Sequence, residues 1–330
     1  MKKRWLLPVL ILLIVFVVLF AITHGKLALT WREVWEIIQG GGASNKRLLL
    51  IDFRLPRIVI ALLAGMSLAI SGAVFQSTTQ NPLADSGILG INAGAGFFVL
   101  IFISFIETSR VSTFLLPLIA LAGALITATS IFFVAYKRGI GITPIRLVLT
   151  GVVLSTGISA LTLLITTRID SEKYRFVTMW QAGSIWGSNW TFVLALLPWV
   201  IILVPWMIFK HRELDILQFG DETALSLGVN TQKERVKLIV AATALTGAAI
   251  SVTGGIGFLG LIAPHIIRRL GFKKHWQLIP MTGLMGSLLL LVSDTLGRLV
   301  PGSGEIPAGT VVAILGAPYF LYLLLHEAKK

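Results

Sequence analysis

Apolar residues in this chain fall in long blocks rather than in alternation. Blocks near residues 5–23, 56–78, 88–106, 112–136, 146–166, 190–210, 236–255, 278–297 and 306–325 each approach one membrane crossing. A helix needs roughly 20 apolar residues to cross a hydrocarbon core of about 30 Å. The pattern therefore predicts nine spanning helices. A further element lies between Thr253 and Arg269. Basic clusters flank it, with Lys233, Arg235 and Lys237 before it and Arg268, Arg269, Lys273 and Lys274 after it. Both clusters are expected on the cytoplasmic side, so the chain between them crosses an even number of times. Residues 238–267 reach about 45 Å as one helix, enough for a full span and a shorter return. The return begins at the glycine-rich TGGIGFLG and contains Pro264. Broken elements of this kind persist at membrane depth only inside protein or beside a cavity. The expectation is an all-α polytopic membrane protein of about ten spans, one domain over residues 1–330, with both termini cytoplasmic.

The longest polar interruption in the C-terminal two-thirds is Leu217–Arg235, LQFGDETALSLGVNTQKER. Asp221 suits the N-cap of a helix of about two turns, and Gly228 suits the C′ position where such a helix ends. Residues Asn230 to Arg235 read as ordinary charged flank.

Composition agrees with this setting. Hydrophobic residues make up 55% and charged residues 13%, against roughly 25% charged in soluble domains. Mean hydropathy is +0.87. The net charge of +13 fits loops at an anionic leaflet, with no call for nucleic acid. There are no cysteines, which excludes disulfides and thiolate metal sites. No small-residue cleavage site follows the first apolar run, so that run is expected to remain as a span.

Candidate chemistry is sparse. The only Gly-Lys pair, Gly25–Lys26, lacks the other residues of a phosphate-binding loop, so ATP hydrolysis is not expected of this chain. The five histidines form no ligand-spaced pair, and no metal or cofactor is expected. His265 reads either as a gating residue or as packing near the cytoplasmic interface. Asp294 reads as an i, i+4 partner of Arg298 or as a functional intramembrane carboxylate. Small residues at helical spacing (Ala61, Gly65, Ala69, Ala73; Ala120, Ala124, Ala128; Gly309, Ala313, Ala317) read as close helix packing. QNPLADSGILGINAGAG between the second and third spans reads as a packed turn-rich segment. In DFRLPRIV, Pro56 suits a first helical turn, leaving Arg57 at a helix N-terminus where positive charge opposes the dipole. Arg54 and Arg57 also sit on the side disfavoured for basic residues. An anionic partner would account for both; headgroup anchoring is the alternative.

The ordered set RLPR, AGMSLAISGAVFQ, NPLADSGILG, GDETALSLG, GGIGFLGLIAPHIIRR and EIPAGTVVAILGAPYFLYLLL resembles the FecCD-type permeases over residues 5–326. These are the membrane subunits of ATP-binding-cassette importers for ferric siderophores, haem and cobalamin. The resemblance implies a type II importer fold of ten helices and a second permease subunit, identical or paralogous. It also implies two cytoplasmic ATP-binding subunits, an extracytoplasmic solute-binding protein and a bacterial cytoplasmic membrane. Gly220, Asp221, Glu222, Thr223, Ala224, Leu227 and Gly228 would form the ATPase-coupling helix. Thr223 stands where many importers carry a second alanine. Arg54, Arg57 and Arg298 would form salt bridges with a glutamate on each lobe of the binding protein. A ferric siderophore is the expected cargo, with haem or cobalamin as alternatives and an ion-coupled secondary transporter as a different class.

Overall fold

The computed structural model describes residues 5–25, 27–87, 89–105, 115–138, 141–185, 187–300 and 304–327, with side chains described as far as residue 321. Ten helices make the bundle: α1 (Leu6–Thr23), α4 (Leu55–Thr79), α5 (Ile91–Phe105), α6 (Leu115–Ala135), α7 (Pro144–Thr166), α9 (Trp190–Phe209), α12 (Thr231–Thr253), α13 (Leu259–Arg269), α14 (His275–Leu299) and α15 (Ala308–Glu327). Short helices α2 (Trp31–Ile38), α3 (Ser44–Leu48), α8 (Ser171–Gln181), α10 (His211–Leu217) and α11 (Asp221–Ser226) join them. Seven helical stretches are long and apolar enough to cross a membrane, and α5 and the described part of α15 are shorter apolar helices. Together they make the chain a multi-pass membrane protein. The eleven-residue α13 is the short return expected from the charge pattern. Lys2, Lys3, Arg4, Lys26 and the C-terminal lysines lie outside the described residues, as do the ends of the third and fourth apolar blocks.

α4 is the central element, packed against α14, α12, α13 and α9. Its small face makes this possible: Ala61, Ala69 and Ala73 are fully buried. A Cβ on Gly72 would fall 2.0 Å from the Gly260 carbonyl oxygen. No larger residue fits there, and backbones this close gain dispersion in lipid, where apolar burial drives nothing. Ala120, Ala124 and Ala128 are buried as the spacing predicts. The third small face differs: Gly309 is buried, but Ala317 is exposed in this chain.

The second span differs from its sequence-predicted start. Helical structure runs continuously from Ser44 to Thr79, 36 residues, with a π-helical turn at Leu49–Arg54. Pro56 has no N–H and would clash with the carbonyl four residues back in a regular helix. The wider turn, with Leu55 N–H donating to the Leu50 carbonyl, absorbs it. Arg57 therefore does not sit at a free helix N-terminus, and the dipole penalty inferred from Pro56 does not apply. α8 was not anticipated; Asp170 caps it by accepting from the Lys173 N–H at 2.8 Å.

The break between α12 and α13 is built by two left-handed residues, Gly254 (φ 68°) and Phe258 (φ 64°). Phe258 is a non-glycine in that region and supplies no side-chain cap to α13. The buried Asp85 carboxylate, brought in by the α4–α5 loop, lies beside this start: it accepts from Ser86 Oγ at 3.4 Å and sits against Gly260, where a Cβ would fall within 2.4 Å of its Oδ1. That loop thus folds back to the level of Gly72, about 10 Å inside the end of α4. The packed segment expected there is present, and it carries its acid against the first turn of α13.

Candidate functional site

The chain concentrates polar side chains at two places, one at each end of α4.

At the Thr79 end, α9 passes into α10 through Lys210, whose ammonium faces Glu213 at 2.6 Å and Glu234 of α12 at 2.9 Å. These acids hold the Lys210 ammonium above its ordinary pKa. α11 follows. Its N-cap is Gly220 (φ 96°), not Asp221, which is the first helical residue. Asp221 is released from capping because its carboxylate is used by Arg235, at 2.5 and 3.2 Å. Arg235 is 1% exposed, the bulkiest fully buried side chain, and its Nε donates to the Thr78 carbonyl at 3.0 Å. It is no charged flank; it joins α11, α12 and the end of α4. Asn230 caps α12 by accepting from Lys233 N–H at 3.1 Å.

The far end of α11 is as the spacing predicts. Gly228 has φ 79°. Its N–H donates to Leu225 and the Val229 N–H to Ala224, at 2.9 and 3.0 Å. That paired pattern is the Schellman stop, and it requires a left-handed C′ residue. Ala224 is buried beneath the helix while Glu222, Thr223, Leu225 and Leu227 face outward. Leu225 and Leu227 are 59% and 60% exposed, an apolar tip with nothing of this chain over it.

α10 is fastened separately. Asp215 accepts from the His275 backbone N–H at 3.0 Å and faces its Nδ1 at 2.7 Å. Partial burial pushes the Asp215 carboxyl up, but the His275 contacts outweigh it and hold the group below its ordinary range. The other ring nitrogen of His275 lies 2.7 Å from Ser77 Oγ and 3.0 Å from Gln218 Nε2. Gln80 donates to the Leu217 carbonyl at 2.9 Å.

At the opposite end, Arg54 and Arg298 are buried and Arg57 is half-buried, and the three form one cluster with partners from this chain. Arg57 grips Asp294 with Nε and a terminal nitrogen at 2.7–3.0 Å and reaches Glu305 at 2.8 Å. Arg54 donates to the Ile22 and Leu27 carbonyls. Arg298 lies 3.4 Å from Asp294 without hydrogen-bond alignment, leaving its Nε and one terminal nitrogen without an acceptor. The i, i+4 contact read from the sequence exists, but Arg57 is the main partner of Asp294. No local spacing could reveal a pair 237 residues apart. From Arg57 to Thr78 is about 30 Å along α4, one hydrocarbon thickness.

His265 stacks edge-on with Tyr319 at 5.8 Å and accepts from Arg269 Nε at 3.1 Å, which is the packing alternative. No cluster of three or more potential metal ligands occurs among the described residues.

Comparison with known proteins follows this geometry. The FecCD transport family matches residues 12–326. The iron(3+)-hydroxamate import system permease protein FhuG of Bacillus subtilis (strain 168) is 43% identical over 98% of this chain and 97% of its own length. The iron-uptake system permease protein FeuC of the same organism is 41% identical over 100% and 99%. The hemin transport system permease protein HmuU of Yersinia pestis is 33% identical over 100% and 98%. Among solved structures, an inward-facing metal-chelate type ABC transporter superposes with a TM-score of 0.86 at 28% identity, covering 98% of this chain and 100% of that one. The arrangement is thus the permease fold of ATP-binding-cassette importers, and the chain belongs to the FecCD transport family.

Proposed function

We propose that this chain is the translocating subunit of an ATP-driven importer for a ferric chelate of the siderophore class, in a bacterial cytoplasmic membrane. The observation that carries the mechanism is α11: a six-residue helix, stopped by Gly228, tied through Asp221–Arg235 to the end of α4, with an apolar tip exposed. Such a helix suits a cleft on a cytoplasmic ATPase, and a rigid one transmits motion that a loose loop would absorb. Gly220, Asp221, Glu222, Thr223, Ala224, Leu227 and Gly228 form that contact and its support. Two ATPase copies and a second permease subunit, identical or paralogous, complete the membrane assembly. The siderophore assignment rests on the iron-import names of the relatives. This subunit performs no bond chemistry.

Substrate arrives on a solute-binding protein at the other end of α4. The cluster there holds Arg54, Arg57 and Arg298 against Asp294 and Glu305, an excess of one positive charge. Arg298 retains N–H groups without acceptors inside the cluster, and Arg54, Arg57 and Arg298 together present the net positive charge on which an acidic side chain docks.

The test is reconstitution with the ATPase and binding protein in proteoliposomes. Leu227→Asp with Glu222→Arg should abolish stimulation of ATP hydrolysis by loaded binding protein while leaving the subunit inserted. Uptake that persists without ATP and follows a proton gradient would establish a secondary transporter instead.

A further inference from the structure

Beside α10 and below α13 lies an open pocket of about 230 Å3, lined by Gln76, Ser77, Gln80, Pro82, Gln218 and Arg268. The space greatly exceeds the ~10–15 Å3 that seats one water. Five of its six lining side chains are polar, and one is a cation. Arg268 donates to Gln76 Oε1 and, at 3.3 Å, to Ser77 Oγ. Both partners are neutral.

Among the described residues Arg268 has no carboxylate partner, and the described acids nearby are committed elsewhere. Glu213 and Glu234 hold Lys210, Asp221 holds Arg235, and Asp215 holds His275; Glu222 points to the exterior. Arg269, Lys273 and Lys274 add positive charge around the same turn. The C-terminal dipole of α13 offsets about half a charge at most. A half-buried guanidinium facing only neutral partners leaves its charge uncompensated, and an anion that enters the open pocket supplies the counter-charge.

We propose that this pocket binds a phosphate-type oxyanion, either as the free ion or as the headgroup of an anionic lipid. The guanidinium fork matches phosphate geometry; the Gln80 and Gln218 amides each have one N–H engaged, by the Leu217 carbonyl and His275, and keep a second as a neutral donor around it. Basic pockets between helices at a membrane face are places where such headgroups bind. The occupant bridges α4, α10 and α13 beside the segment that carries α11. The proposal stands apart from whatever α11 contacts.

The experiment uses the full-length chain without ATPase subunits, which would bind phosphate themselves. Inorganic phosphate is titrated calorimetrically into the chain in phosphatidylcholine nanodiscs. Lipid retention is read by native mass spectrometry after nanodiscs containing phosphatidylglycerol. Binding of phosphate alone identifies the free ion, and retention of phosphatidylglycerol alone identifies the headgroup; either supports the site. Arg268→Gln should weaken binding about tenfold or more. Gln218→Ala, which leaves the charge in place, should weaken it several-fold and serves if the first variant fails to insert. Lys273→Gln with Lys274→Gln should leave it intact. Absence of binding by both probes, survival of binding in both pocket variants, or its loss in the lysine variant would overturn the proposal.

Discussion

At the scale of single residues, the decisive side chains are long-range partners. Asp294 is fully buried, and Arg57 reaches it and Glu305 at once. Removing one member of a buried ion pair typically costs about 3–5 kcal/mol, because the other charge is left without compensation. Asp294→Ala should therefore lower the thermal midpoint of the purified chain by several degrees or prevent its accumulation. A midpoint within a degree of wild type would show that the pair contributes nothing. The same geometry governs how docking is probed. Reversing Arg57 to Glu places three acids together and tests stability, whereas Arg298→Gln removes one positive charge and its 3.4 Å contact with Asp294 but leaves both Arg57 pairs in place. The arginines were legible in the sequence as being out of place for their side of the membrane. Their partners were not, because Asp294 and Glu305 lie some 240 residues along the chain and no local period connects them. Arg235 was misread for the same reason: its cationic neighbours in the sequence are exposed, and only the fold turns it inward.

At the scale of elements, helix existence was readable where twenty apolar residues run together, and the short return α13 was readable because charge forces an even number of crossings. The polar α8 was not, since only Val177 on it is buried and its pattern resembles a loop. α11 was readable at both ends, one residue out at its start, because Gly220 rather than Asp221 takes the capping position. Gly228→Ala puts a Cβ on a left-handed residue, costing about 1–2 kcal/mol. The six-residue helix has few other contacts to offset that loss. Amides of Ala224–Val229 should exchange faster in this variant, and stimulation of the ATPase should fall; unchanged exchange would show that the Schellman stop is dispensable. α10 offers a pH-dependent counterpart. The folded Asp215 carboxyl is held below its unfolded value, so its contribution is fully present above about 3.8 and disappears as pH falls through the lower folded value. The destabilisation caused by Asp215→Asn should accordingly be complete at neutral pH and shrink in that acid window. A difference that stays constant with pH would mean the carboxylate charge is not what fastens α10 to α14.

At the scale of the molecule, α4 connects the two polar ends. Arg57 anchors one end to α14, and Thr78 receives Arg235 at the other, so a rigid rod about one hydrocarbon thickness long runs between the two proposed docking places. A single rod does not enclose a passage, and the faces left uncovered point to what completes it. In the most apolar window of α7 only 6% of residues are buried, yet the uncovered side includes Thr156, Gly157, Ser159 and Ala160. A helix facing only lipid gains nothing from small and hydroxyl-bearing residues, whereas close helix packing and water-filled passages use them. Ala317 on α15 is a small residue exposed in the same way. This face is therefore the expected contact of the proposed second permease subunit, which a cross-link tests. Because the chain has no cysteine, Ser159→Cys introduces a unique thiol. In the assembled complex with a short bismaleimide, that thiol should give a permease band at twice the monomer mass when the subunits are identical. If the second subunit is a paralogue, the band should appear once its matching residue is also cysteine. A thiol that is instead readily modified by lipid-phase reagents and never cross-links would assign α7 to the lipid boundary and move the passage elsewhere.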